Sequence, residues 1–282
     1  MKRTLGIISI FLLFFYSLPL YYYKNYLPSH DERFIINLTF SLPLNNFLPP
    51  VYYYGPIQLY FLLISYSPLV IFGYIFKNNG IDYVKHLFVN DFQILTLIGK
   101  LTSLLFFVIA LFIIFFIAKE KKWKPITLLF LILSFFFLHP LYISMTTIKN
   151  EALLFFLIFL FIYINIKLKN THNINYLYFL AIISAALFIA KYNMIILLIF
   201  PIITFLPISK IKKKFITNFF KFLMFFLLFT ILFMPAFLFD FRRFFEDFIY
   251  IFKIVNIEHI GWQQTTKLSE SIYLTLNLFF AN

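Results

Sequence analysis

The residues best placed to do chemistry stand in short groups beside long apolar runs. The first is Leu27-Pro28-Ser29-His30-Asp31-Glu32-Arg33, about eight residues beyond an apolar start. A carboxylate at a membrane–water boundary is tuned by desolvation and by nearby cations. Asp31, with Glu32 beside it, could take a proton from an acceptor hydroxyl or amine while a lipid-linked donor stays in the bilayer. The same residues also spell a helix start, because Ser29 followed three positions later by Glu32 is a capping box. Further along come Asn150-Glu151 and Lys191, each at the end of an apolar run. Ionisable groups there are usually paired, so an ion pair between them is expected, against plain snorkelling at a helix end. Lys100 is a similar case and could meet a phosphate.

The other candidates lie in polar or proline-rich stretches. Arg242 and Arg243 could clamp a phosphate or pyrophosphate, or could pair with Glu246 and Asp247 one helical turn on. His259 sits between Glu258 and Trp262. It is the candidate ligand for a divalent metal, although one histidine does not make a metal site. Phe47-Leu48-Pro49-Pro50-Val51-Tyr52-Tyr53-Tyr54-Gly55-Pro56 is stiffened by three prolines. Its tyrosines, Tyr54 among them, suit either the headgroup level of a bilayer or a sugar-stacking surface. Asn37-Leu38-Thr39 fits a glycosylation triplet.

Composition sets the elements that must position these groups. Of 282 residues, 62% are hydrophobic, 23% aromatic and only 12% charged, about half the usual charged share of roughly 25%. Mean hydropathy is +0.91. A water-soluble domain could not cover its surface with so few charges, and disordered chains are poor in aromatics. Bilayer is the solvent that suits such a chain, and it demands helices whose backbone bonds are satisfied internally. The absence of cysteine excludes disulfides, cysteine-held zinc and iron–sulfur clusters, and thiol nucleophiles. The net charge of +13 reads as the lysine and arginine bias of cytoplasmic loops rather than as a nucleic-acid footprint.

The charges also set an expected topology. Apolar runs lie near 5–23, 57–76, 94–118, 125–146, 152–166, 176–190, 194–208 and 218–239, with a last one from Ile272 cut short. Each approaches the ~20 residues needed to cross the hydrocarbon. The basic start Lys2-Arg3 and a run ending in Tyr21-Tyr22-Tyr23-Lys24 predict a retained anchor with a cytoplasmic N-terminus. Basic clusters at Lys119/Lys121/Lys122/Lys124, Lys167/Lys169 and Lys210/Lys212/Lys213/Lys214 share the side of Lys2 and Arg3 only if segment 57–76 does not cross. With Lys221 added, that side then holds 13 of the 24 Lys and Arg and one of the 11 acids, Glu120. Segment 57–76 contains Pro56, Pro68 and Gly73, and is expected to be a broken re-entrant or interface-lying helix. The expected fold is all-α: a polytopic transmembrane bundle of about seven or eight crossings in one module, 1–282, with long outer segments at 24–93 and 240–271. It lies in the inner or plasma membrane. No repeat, Gly/Ser linker or phosphate-binding P-loop motif interrupts it.

The order of these features resembles the integral-membrane GT-C glycosyltransferases, and among them the bacterial dolichyl-phosphate-mannose–protein mannosyltransferase-like group. The resemblance runs from the basic anchor and His30-Asp31-Glu32 through Pro-Pro-Val-Tyr-Tyr-Tyr-Gly-Pro-Ile and Gly99-Lys100-Leu101-Thr102-Ser103. It continues through Lys149-Asn150-Glu151-Ala152-Leu153-Leu154 and Lys191-Tyr192-Asn193 to Pro235-Ala236-Phe237-Leu238-Phe239-Asp240 and Glu258-His259-Ile260-Gly261. It implies transfer of a sugar from a polyprenyl-phosphate carrier to a protein, lipid or glycan acceptor on the outer face. Asp31 is then the key carboxylate with Glu32 in support, Glu151 the second acidic position, and Lys191 its basic partner. The family also carries a non-crossing helix in its first outer loop. Three departures stand out. Lys100 replaces a common Arg, no metal-binding Glu matches near Tyr54-Gly55, and the chain stops where relatives continue, which implies C-terminal truncation. A lipid or polysaccharide transporter or flippase subunit is the alternative, and it predicts ionisable groups at mid-membrane depth; a truncated, inactive relative is the other.

Overall fold

The computed structural model describes residues 30–52, 55–77, 80–137, 147–171, 173–199 and 212–256. They form helices with no strand among the described residues. The helices are α1 (His30–Ser41), α2 (Pro56–Lys77), α3 (Gly80–Asn90), α4 (Phe92–Glu120) and α5 (Pro125–Phe137), then α6 (Asn150–Thr171), α7 (Asn175–Ala190), α8 (Lys212–Phe233), α9 (Ala236–Phe239) and α10 (Phe241–Asn256). A 3-10 segment, Tyr192–Leu198, follows α7. Four helices are long and apolar enough to cross a membrane: α2, α4, α6 and the Ile216–Phe233 part of α8. The expected anchor at 5–23 and the last run from Ile272 lie outside the described residues. So does the second half of the run at 125–146, whose described part is α5.

Polar contacts fix how the helices run. At one end, Lys100 near the start of α4 approaches Ile148 and Lys149, just before α6, through α1. At the other end, Lys167 late in α6 reaches Glu120 at the end of α4 at 2.9 Å. Helices α4 and α6 are therefore parallel. Phe107 on Phe155 and Phe106 on Phe156, at 5.2 and 5.7 Å between ring centres, join them in between. The twenty residues from 100 to 120 rise about 30 Å, the thickness of a hydrocarbon core. Helix α7 returns antiparallel to α6, since the Asn150 side-chain amide donates to the Ala190 carbonyl at 3.2 Å. Met234, just past α8, meets the Tyr192 hydroxyl, so α8 finishes at that same end. The starts of α4 and α6 and the finishes of α7 and α8 thus share one end of the bundle, here the site end.

Helix α2 departs from expectation in one respect. It runs unbroken through Pro68, which lacks the N–H that would bond the Ile64 carbonyl. The Ser67 hydroxyl donates to that carbonyl at 2.7 Å, and a side-chain donor of this kind lets a helix tolerate an internal proline. Pro56 takes the first position of the helix, where its missing N–H costs nothing. Gly55 presses on the Ala190 backbone so closely that any Cβ would collide with the carbonyl. Phe61 then packs on Phe106 at 5.1 Å, and Tyr66 donates to the Leu95 carbonyl at 2.9 Å. Along α2 the contacts thus run from Ala190 at Gly55 to Phe106 at Phe61 and then to Leu95 at Tyr66.

Of the run at 194–208, residues 200–208 lie outside the described residues. Its described beginning is the 3-10 segment Tyr192–Leu198, entered through Lys191 in an extended conformation, φ −158° and ψ 112°.

Candidate functional site

Helix α1 is held by apolar contact before any charge is considered. Ile35, Ile36, Leu38 and Leu42 are buried against Leu59, Leu62 and Tyr66 of α2, Leu87 of α3, Leu95 of α4, and Ile148. Such a cluster fixes the first turn of α1, which carries Asp31 and Glu32, against the starts of α4 and α6. Gly99 makes the approach to α4 close. A Cβ there would lie 2.8 Å from the Tyr66 hydroxyl oxygen and would also overlap the Ile148 side chain.

The two neighbouring carboxylates have opposite surroundings. Glu32 is 3% exposed. Its Oε1 lies 3.7 Å from Lys100 Nζ and accepts the Ile148 backbone N–H at 3.3 Å. Buried charge is tolerable when it is both paired and hydrogen-bonded, and Glu32 meets both conditions. Asp31 points to the surface. Its carboxylate and the Lys149 ammonium are 3.0 Å apart, with side chains 49% and 39% exposed. A small molecule can reach Asp31, whereas Glu32 is enclosed. Arg33 lies over the Phe92 ring at 5.6 Å.

Glu151, in the first turn of α6, is near these residues in sequence and shares the site end. Its Oε2 is buried without a hydrogen-bond partner among the described residues. Lys191 is exposed, and no ion pair joins it to Glu151, contrary to the sequence expectation. The reason is local. Asn150, not Glu151, binds the end of α7, and the Lys191 backbone N–H closes that helix on the Leu187 carbonyl at 3.0 Å. Lys100, expected to snorkel or to await a phosphate, is instead 8% exposed and engaged with Glu32.

Arg242 and Arg243 do not converge into a clamp. Arg242 Nε pairs with Glu246 at 3.0 Å on an exposed face, one helical turn on. Arg243 donates to the Pro50 carbonyl. Asp247, expected opposite Arg243, accepts the Tyr52 backbone N–H at 2.7 Å. These contacts form a second centre that sequence reasoning missed. Tyr52 is wholly buried. Its hydroxyl donates to Asp240 at 3.2 Å, and its carbonyl accepts the Tyr192 hydroxyl at 2.6 Å. Burial first, and the Asp240 charge second, push the Tyr52 phenol well above the usual tyrosine range, so it remains a donor. The available signal was Asp240 and Asp247 spaced to face one partner, but the nearby arginines offered a simpler pairing.

Tyr54 and His259 lie outside the described residues. Among the described residues no group of three or more His, Asp or Glu could hold a metal ion. Comparison of the chain with protein-family models, with curated proteins and with solved structures finds no match in any of the three.

Proposed function

We propose that this chain is a membrane glycosyltransferase that moves a sugar from a polyprenyl-phosphate carrier to a protein, lipid or glycan acceptor. The observation that carries the reading is the meeting of Asp31, Glu32, Lys100, Lys149 and the start of α6 at one end of an apolar helix bundle. A sugar-phosphate carrier keeps its chain in lipid and its head at such an end. The acceptor needs a base within reach, and the departing phosphate needs cations. Asp31 is the accessible carboxylate and takes the base or acceptor-orienting role. Glu32 holds α1 in register. Lys149 and Lys191 are the accessible cations, and Lys100 neutralises the enclosed Glu32. Glu151 offers a buried oxygen free to accept from a substrate hydroxyl. Tyr54 is kept as a sugar-stacking surface and His259 as a candidate metal ligand, while Arg242 and Arg243, held by Glu246 and the Pro50 carbonyl, supply no clamp.

Two features support the same reading. The return of α2 from Phe106 at Phe61 to Leu95 at Tyr66 supports a helix that turns back without crossing, and the parallel course of α4 and α6 fits the alternation that places all the basic clusters on one side. The proposed topology is therefore about seven or eight crossings, a cytoplasmic N-terminus, and the site end facing outward. The test is transfer of labelled sugar from a polyprenyl-phosphate donor in membranes carrying Asp31→Asn. Transfer should fall at least a hundredfold, the lower range for loss of a general base. Undiminished transfer removes Asp31 from the chemistry.

A further inference from the structure

We propose that the turn between α4 and α5, at the end of the bundle remote from the site, is a binding site for the headgroups of anionic phospholipids. Helix α4 ends in a hydrogen-bonded Schellman turn. The Lys122 N–H bonds the Lys119 carbonyl at 3.2 Å, and the Trp123 N–H bonds the Ala118 carbonyl at 2.9 Å. The residue that closes such a turn adopts a left-handed conformation and is usually glycine. Here it is Lys122, at φ 54°. A lysine in that position bears a conformational cost that glycine would avoid. Cations near a helix C-terminus favour its dipole, but Lys119 and Lys121 already supply that. Lys122 needs another reason, and a strained residue points to function.

The surroundings give that reason. Lys119, Lys121, Lys122 and Lys124 are all exposed, and Trp123 beside them is 40% exposed. Glu120 is the one acid in the sequence between Asp91 and Glu151, and the sequence has none between Glu151 and Asp240. Glu120 is already engaged, by Lys167 at 2.9 Å and by the Asn170 amide at 3.1 Å. Glu120 also feels the Lys119 charge, so Lys121, Lys122 and Lys124 meet solvent or lipid with no ion pair among the described residues. Lys169 adds a further exposed cation on the neighbouring helix. Trp123 marks the depth, because indole rings settle at the headgroup level. The fatty chains of the lipid would lie along the exposed apolar residues Ile109, Phe112 and Phe116 of α4, above the turn. Charge complementarity with the phosphate, and continuity with this apolar face, commit the site to a bilayer lipid. The proposal requires only that α4 spans a bilayer, and stands apart from the sugar-transfer reading.

The chain contains two tryptophans, so Trp262→Phe leaves Trp123 as the sole reporter. This protein is reconstituted in phosphatidylcholine vesicles doped with brominated phosphatidylglycerol or, in parallel, with brominated phosphatidylcholine at equal mole fraction. Bromine quenches the indole only when the lipid is adjacent. Phosphatidylglycerol should be preferred at Trp123 by about fivefold or more, the gain a single interfacial lysine gives, and the preference should shrink in high salt. Lys121→Gln, Lys122→Gln and Lys124→Gln together should bring the ratio close to one. Lys122→Gly relaxes the turn and so keeps the fold, yet should still lower the preference. Equal quenching by the two lipids overturns the proposal, as does a preference that Lys122→Gly and the triple replacement leave unchanged.

Discussion

The two ends of the α4–α6 pair are each marked by a glutamate and a lysine, yet the pairs do different work. At the site end, Glu32 and Lys100 are 3.7 Å apart, enclosed, and share their oxygen with the Ile148 N–H. At the far end, Glu120 and Lys167 are closer, at 2.9 Å, but part-exposed and free to be solvated. Distance alone would rank the far pair as stronger. Burial reverses the ranking, because a pair taken out of water cannot lose one member without leaving the other uncompensated, whereas an exposed pair exchanges its partner for water. The site end is thus locked and the far end adjustable.

Breaking the locked pair should give the largest effect. Lys100→Met leaves Glu32 buried and unpaired, and is expected to destabilise by about 3–5 kcal/mol. This is measurable as the shift in SDS-induced unfolding of the purified protein followed by helical signal. Combining it with Glu32→Gln should recover a large part of the loss, because the orphaned charge is then gone. Failure of the double variant to recover would mean that the pair is not a coupled unit. Next in size is Gly55→Ala, which drives a methyl into the Ala190 backbone. Overpacking of this kind costs about 1–3 kcal/mol, and the same unfolding assay reads it. A comparable or smaller change is expected for Tyr52→Phe, which keeps the ring against Phe244 but removes the hydroxyl that Asp240 accepts; about 1.5 kcal/mol is the lower end for a bond to a charged group. Last comes Glu120→Gln, for which the unfolding midpoint should stay within experimental error. A loss there comparable to that of Lys100→Met would erase the contrast between the two ends.

Part of this arrangement was legible in the sequence. The apolar runs mark α2, α4, α6 and α8 well, because a helix in lipid must be long, apolar and internally bonded. The residues grouped at the site end were largely the candidates named on residue type and position. Their partners were not legible. Glu32 reaches a backbone N–H 116 positions away, and no local pattern encodes that. The expected Glu151–Lys191 pair failed because Asn150, one residue earlier, faces α7 in its place. The continuity of α2 was hidden by reading Pro68 alone, when Ser67 beside it supplies the missing donor. Arg243 and Asp247 have the spacing of a helical ion pair, yet each turns to the segment at 50–52, since an enclosed backbone needs partners more than an exposed charge does.

The Tyr52 centre has a consequence for how the chain is made. Its bonds to Asp240 and Asp247 span 188 and 195 positions. A ribosome feeding the nascent chain into a bilayer would therefore release the proline-rich strap long before its fasteners exist. During that interval the start of α2 can rest on α1 and α4, the strap gains Ala190 and Tyr192 once these emerge, and final closure waits for α10. A nascent chain halted ahead of Asp240 should accordingly leave the strap open to protease, and one halted after α10 should shield it.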